Sequence, residues 1–130
     1  MNYEVKDIKL APDGHRKIQW VKNNMPVLSQ LEKEFEKAKP FENVKISLSI
    51  HMEAKTAYLC KVLVAGGAVL SATGSNVLST QDDVAAALAD SGISVFAVHG
   101  ASEREYMKHI EMCLQQKPNI IIDDGGDLVS

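Results

Sequence analysis

Imidazole accepts and donates protons near neutral pH, and one of the four histidines in this chain, His51, sits in dense polar company. It opens the run His51-Met52-Glu53-Ala54-Lys55-Thr56, where a carboxylate, an ammonium and a hydroxyl follow in close succession. A second run, Asp123-Asp124-Gly125-Gly126-Asp127, places three carboxylates around two glycines. A third, from Gly74-Ser75-Asn76 to Ser79-Thr80-Gln81-Asp82-Asp83, offers hydroxyls and an amide. A histidine and a carboxylate brought together form a proton-transfer pair. Hydroxyls and spare amides at a helix start grip polar ligands. Adjacent aspartates could also hold a metal, but an ordered set of further oxygen ligands is missing, so no metal site is assigned. His99, in His99-Gly100-Ala101-Ser102, reads as a surface or supporting residue.

Each of these runs follows an apolar segment of strand length: residues 44–50, 68–73, 93–98 and 119–122. Helical patterns fill the intervals at residues 54–64, 79–90 and 103–115. In an open α/β sheet, ligands bind beyond the carboxyl ends of the strands, so all four loops are expected along one edge. Capping boxes are expected at Ser79–Asp82 and Ser102–Glu105. One helix carries the stripe Tyr106, Ile110, Cys113 and Leu114; another carries Val84, Ala85, Leu88 and Ala89, whose small members permit close packing on a sheet. Residues 1–40 read as a helical preface. Ile18, Val21, Met25, Leu28, Leu31 and Phe35 recur at steps of three and four. Pro26 kinks or restarts the helix, Asn24 is the candidate cap of its second piece, and Pro40 ends it. The predicted fold is a three-layer, Rossmann-like α/β domain with a mostly parallel sheet and an N-terminal helical segment; residues 41–130 form a βαβαβαβ unit.

Composition narrows the function. A chain of 130 residues supports one domain with its own core. A net charge of -3 gives no reason to expect a nucleic-acid partner. No apolar run is long enough to span a membrane, and residues 1–9 lack the apolar core of a secretory signal. Cys60 and Cys113 have no metal-binding spacing and read as reduced cysteines of a cytoplasmic protein. Together with Met112 and Trp20 they read as packing or surface residues. No GxGxxG occurs, and no phosphate-loop motif.

Taken together, the segments resemble the adenosylhomocysteinase family. The likeness rests on Asp7-Ile8-Lys9-Leu10-Ala11, Asn24-Met25-Pro26-Val27-Leu28, the His51 run through Ala57, Gly74-Ser75-Asn76, Ser79 through Ala87, Gly92-Ile93-Ser94-Val95-Phe96-Ala97, and Ile122 through Leu128. The resemblance implies that residues 1–130 are the N-terminal part of a substrate-binding domain, with an NAD domain outside this chain. It implies reversible cleavage of S-adenosyl-L-homocysteine to adenosine and homocysteine, with NAD oxidising the ribose 3′-hydroxyl so that homocysteine can be eliminated and water added. It also implies a homo-oligomer, a tetramer at full length. Carried over by motif, His51 and Asp124 manage protons around C5′, the leaving sulfur and the entering water. Glu53 and Lys55 face the purine base, Thr56 lines the same pocket, and Ser79 and Gln81 are substrate-pocket or supporting residues. No cofactor-binding residue is expected here, and the isolated chain is expected to have no turnover.

The base-facing positions depart from the family's usual threonine followed by glutamate or glutamine. A carboxylate only accepts hydrogen bonds and an ammonium only donates them. Glu53 opposite N1–H and Lys55 opposite O6 would suit hypoxanthine, so an S-inosyl-L-homocysteine substrate is the alternative. A binding or regulatory module that kept the fold without the chemistry is a further alternative. A response-regulator-like domain would need its acidic pair after an early strand, and here the pair follows the last.

Overall fold

The computed structural model describes residues 3–128, so the expected domain boundary at Ser130 lies outside the described residues. Five strands form one sheet: β1 (Glu4–Val5), β2 (Lys45–Ile50), β3 (Val69–Gly74), β4 (Ser94–Ala97) and β5 (Ile120–Asp123). Every pairing is parallel, in the spatial order β1-β4-β3-β2-β5. The helices are α1 (Ala11–Asn24), α2 (Pro26–Ala38), α3 (Ala54–Ala65), α4 (Asp82–Asp90) and α5 (Glu103–Leu114). Helices α1, α3 and α4 pack together over one face with α2 against α3, while α5 covers β2, β3 and β4 from the other side. This is the expected three-layer arrangement.

Strand alternation builds the layers. Ile46 and Leu48 of β2, with Leu70 and Ala72 of β3, enter the main core beside Met52, Tyr58 and Leu88. Between them on the strands lie buried Ser47, Ser49, Ser71 and Thr73. Buried hydroxyls usually find partners: Ser47 Oγ donates to the Cys113 carbonyl at 2.7 Å and Thr73 Oγ1 to that of Phe96 at 2.7 Å, while Ser49 Oγ has none among the described residues. Helix α4 is buried along most of its length through Val84, Ala85, Ala86, Ala87, Leu88 and Ala89, and α1 lies across it at Gly14. A Cβ built on Gly14 would stand 1.9 Å from the Asp83 carbonyl oxygen, so only glycine permits this crossing.

Three expectations are corrected. The N-terminal forty residues are not wholly helical: Glu4–Val5 pairs with Phe96–Ala97 as an edge strand. Asn24 does not cap α2; its side chain donates back to the Trp20 carbonyl at 2.8 Å, and α2 starts at Pro26, whose missing N–H costs nothing at a first turn. Helix α4 begins at Asp82 rather than Ser79, because Ser79 and Thr80 both turn their hydroxyls onto the Asn76 carbonyl and tighten a preceding loop. The capping box at Ser102–Glu105 is present in both directions.

The connections fix where a ligand belongs. Helices α3 and α4 carry the chain from β2 to β3 to β4 along one face. Helix α5 then returns it across the opposite face to β5, on the other flank of β2. The progression therefore reverses between β2 and β5, and a doubly wound sheet opens its binding crevice beyond the strand ends at that point.

Candidate active site

His51 follows β2 and Asp124 follows β5, so the two stand on either side of this crevice. Asp124 N–H donates to the Ser49 carbonyl at 3.2 Å, extending the β2–β5 ladder by one residue. His51 Nε2 and Asp124 Oδ2 are 3.9 Å apart, with side chains 52% and 41% exposed. That gap is too long for a direct hydrogen bond. It is short enough for both groups to address one reacting atom.

Ser79 sets the imidazole. Its hydroxyl donates to the Asn76 carbonyl at 3.1 Å and lies 2.6 Å from His51 Nδ1. A hydroxyl has one proton. With that proton given to the Asn76 carbonyl, Nδ1 is the donor toward Ser79. In that arrangement neutral His51 carries its lone pair on Nε2, the nitrogen that faces Asp124. Ser79 is thus a support for the imidazole.

The two neighbouring aspartates divide their work. Asp123 Oδ1 accepts from Gly125 and Gly126 N–H at 3.1 and 2.9 Å, and Oδ2 accepts from Leu128 N–H at 2.7 Å. Its carboxylate folds the loop. The Asp124 carboxylate takes no part in that folding and faces His51 instead. Gly126, at φ 81°, supplies the left-handed turn this loop needs.

On the α1 side of the crevice, Glu53, Ala54, Lys55 and Gln81 line a cavity of about 360 Å³ together with Lys17, Trp20 and Val21. Glu53 caps α3: its Oε1 accepts from Thr56 N–H at 3.0 Å and lies 3.4 Å from Thr56 Oγ1. Thr56 is buried behind that carboxylate rather than lining the cavity. Gln81 N–H donates to the Met52 carbonyl at 2.9 Å, and its Oε1 accepts from Lys17 Nζ at 3.3 Å. Lys17 is itself held by Asp83 at 2.7 Å. The sequence reading missed Lys17, and it placed Trp20 among packing or surface residues. Trp20 is 64% exposed, beside buried Val21 in the sequence of α1, and gives the cavity an aromatic wall. Neither carries a motif of its own, so only the docking of α1 beside α3 and α4 reveals them.

His99 touches neither member of the pair: its backbone N–H donates to Asp82 Oδ1 at 2.8 Å and its Nδ1 lies 3.0 Å from the Thr80 carbonyl. Cys60 and Cys113 are buried free thiols, and desolvation pushes them up to about 12 and about 11. Thiols so raised are inert nucleophiles. Among the described residues no three His, Cys, Asp or Glu side chains converge as a metal site, and no helix is long and apolar enough to cross a membrane.

The strand-to-helix turns do not fit a dinucleotide. Where a pyrophosphate would meet the start of α3, the Glu53 carboxylate stands instead and already takes the Thr56 N–H. At the end of β3, a Cβ on Gly74 would fall 2.8 Å from Thr80 Oγ1, so that glycine serves internal packing rather than an open cradle.

Comparison with known proteins adds an independent finding. The family model of S-adenosyl-L-homocysteine hydrolase matches residues 2–130. An adenosylhomocysteinase of Pyrococcus abyssi is 54% identical over 99% of this chain and 31% of its own length. One from Thermococcus kodakarensis is 53% identical over 99% of this chain and 31% of its own. An S-inosyl-L-homocysteine hydrolase of Methanocaldococcus jannaschii is 50% identical over 98% of this chain and 31% of its own. The chain thus spans about a third of the length of these relatives.

Proposed function

The chain belongs to the S-adenosyl-L-homocysteine hydrolase family, and we propose that it forms the first part of the substrate-binding domain of an enzyme that reversibly hydrolyses a nucleoside thioether to a nucleoside and homocysteine. The observation that carries this reading is the meeting of His51 Nε2 and Asp124 Oδ2, 3.9 Å apart, at the reversal point of the sheet.

The geometry supports a division of labour. With Nδ1–H held by Ser79, the His51 Nε2 lone pair takes a proton from a water entering at C5′. In the reverse sense, protonated Nε2 delivers that proton to a departing group. Asp124 steadies the imidazolium across the gap and orients the water or sulfur between them. The cavity lined by Trp20, Glu53, Lys55 and Gln81 holds the base. NAD, held by the part of the enzyme outside this segment, supplies the reversible oxidation of the ribose. The residues here neither cradle it nor complete the site alone, so residues 1–130 by themselves give no turnover. Buried reduced thiols support a cytoplasmic setting, and the full-length enzyme works as a homo-oligomer.

A second reading concerns the base. Glu53 and Lys55 line the same cavity, with one carboxylate oxygen of Glu53 engaged in capping. Its other oxygen can accept from N1–H of hypoxanthine while Lys55 donates to O6. Adenine offers the opposite pattern. Leaving one such group unmatched costs roughly 1–3 kcal/mol, a preference of about tenfold for S-inosyl-L-homocysteine. The test is homocysteine release by the full-length enzyme with each thioether in competition. Release from either substrate, lost in His51→Asn, is expected. Absence of release from both refutes the hydrolase reading, and a clear adenosyl preference refutes the base assignment alone.

A further inference from the structure

Resting on that reading, we infer that Tyr106, on the opposite face of the sheet from the base cavity, is a positioning residue that clamps together the two loops carrying the proton-transfer pair. The Tyr106 hydroxyl lies 2.5 Å from Asp127 Oδ2 and 3.2 Å from the Ser75 carbonyl oxygen. A phenol has one proton; the carboxylate takes it and the carbonyl shares it as a weaker, three-centre contact. Asp127 belongs to the loop of Asp124. Ser75 belongs to the loop of Ser79, which holds His51. One side chain of α5 therefore ties both walls of the crevice to the same point.

Both loops are stiff enough to transmit that restraint. On one side, the three amide bonds to Asp123 lock residues 123–128 into a single turn. On the other, Asn76 Oδ1 accepts from Leu78 N–H at 2.8 Å, while the Asn76 carbonyl gathers the hydroxyls of Ser79 and Thr80. A displacement of Asp127 or Ser75 thus moves Asp124 or Ser79 with it. Partial burial and the Asp127 charge raise the phenol far above its usual range, which keeps it a donor across the working pH of any enzyme. The ring packs against the cluster of Phe96, Ile110, Cys113 and Leu128. Tyr106→Phe keeps that packing and removes only the clamp.

The test uses the full-length holoenzyme with Tyr106→Phe, Asp127→Asn and the double variant. Amide exchange is followed across residues 75–80 and 121–128, alongside kcat and KM. Each single variant is expected to speed exchange in both segments by about tenfold or more, the size expected from a hydrogen bond to a charged group. Expected too are a fall in kcat by about tenfold and KM within about twofold, because the pair is misplaced while the base cavity is intact. The double variant is expected to be no worse than either single one. Unchanged exchange overturns the clamp. Faster exchange with unchanged kcat overturns its role in positioning, and effects that multiply in the double variant show two separate interactions and overturn it as well. A wild-type enzyme without thioether hydrolysis would defeat the functional reading on its own, and the exchange measurements would still decide the clamp.

Discussion

Ser79→Ala should cost activity through the tautomer of His51. In the fold, the Ser79 hydroxyl lies 2.6 Å from His51 Nδ1 and 3.1 Å from the Asn76 carbonyl, and the proposed arrangement has Nδ1–H donating to Ser79 while Ser79 donates to Asn76. Alanine removes the acceptor and leaves the imidazole ring in place. The lost bond joins neutral groups at a half-exposed position, so its net worth is about 1 kcal/mol. The preference for the Nδ1–H form disappears with it, and molecules carrying the proton on Nε2 have no lone pair facing Asp124. Together these effects predict a fall in kcat of roughly fivefold to tenfold, taking 1.4 kcal/mol as a factor of ten. KM should change little, because the base cavity does not include Ser79. Steady-state kinetics of the full-length enzyme measures the first quantity, and the ¹⁵N shifts of the His51 ring report the second directly. Ser79→Thr, which restores a hydroxyl, should recover most of the loss. Unchanged kcat with an unchanged ring tautomer in Ser79→Ala would refute the reasoning.

The adjacent aspartates should separate cleanly. Asp124→Asn is expected to lower kcat by about a hundredfold or more, the scale of a lost general acid–base partner, with little change in thermal midpoint. Asp123→Asn should instead lower stability by about 1–3 kcal/mol, since its carboxylate accepts three loop amides; urea titration checks it. Gly14→Ala should destabilise by about 3 kcal/mol or more in the same assay, because the new methyl meets backbone 1.9 Å away and α1 must lift from α4. Cys60 and Cys113 should resist thiol reagents until the protein unfolds. Their raised values, about 12 and about 11, also carry a sign. An unfolded thiol ionises near 8.5 while the folded one stays protonated. The contribution is therefore present below that value and declines as pH climbs toward the folded values, which denaturant midpoints between pH 8 and 10.5 should show.

The alternation of strands and helices was legible because each apolar segment ends in a polar run, and the observed elements begin and end within a few residues of the expected ones. Edge strand β1 was not legible, since two residues carry no periodicity and Glu4–Val5 becomes a strand only by pairing with Phe96–Ala97. The start of α4 was misread because Ser79 has the spacing of a cap. Its hydroxyl is instead drawn to Asn76, a choice made by the loop's own conformation. The candidate pair itself was named from motif and residue type. That His51 and Asp124 meet depends on β5 adding beside β2 rather than beyond β4, a non-local pairing that no window of sequence encodes. The roles of Asp123 and Asp124 likewise could not be told apart by residue type; only the loop amides distinguish them. Lys17 escaped notice, and Trp20 was read only as a packing or surface residue, because a helix face shows what is apolar, not what it will border.

The most direct measurement is a crystal structure of the full-length enzyme with NAD and a non-cleavable thioether analogue. His51 Nε2 and Asp124 should lie on either side of the ribose C5′–sulfur bond, each within hydrogen-bonding reach of the sulfur or of a water beside it, with the base against Trp20 and Glu53. A thioether bound away from the crevice between β2 and β5, or one whose sulfur approaches neither side chain, would contradict the account.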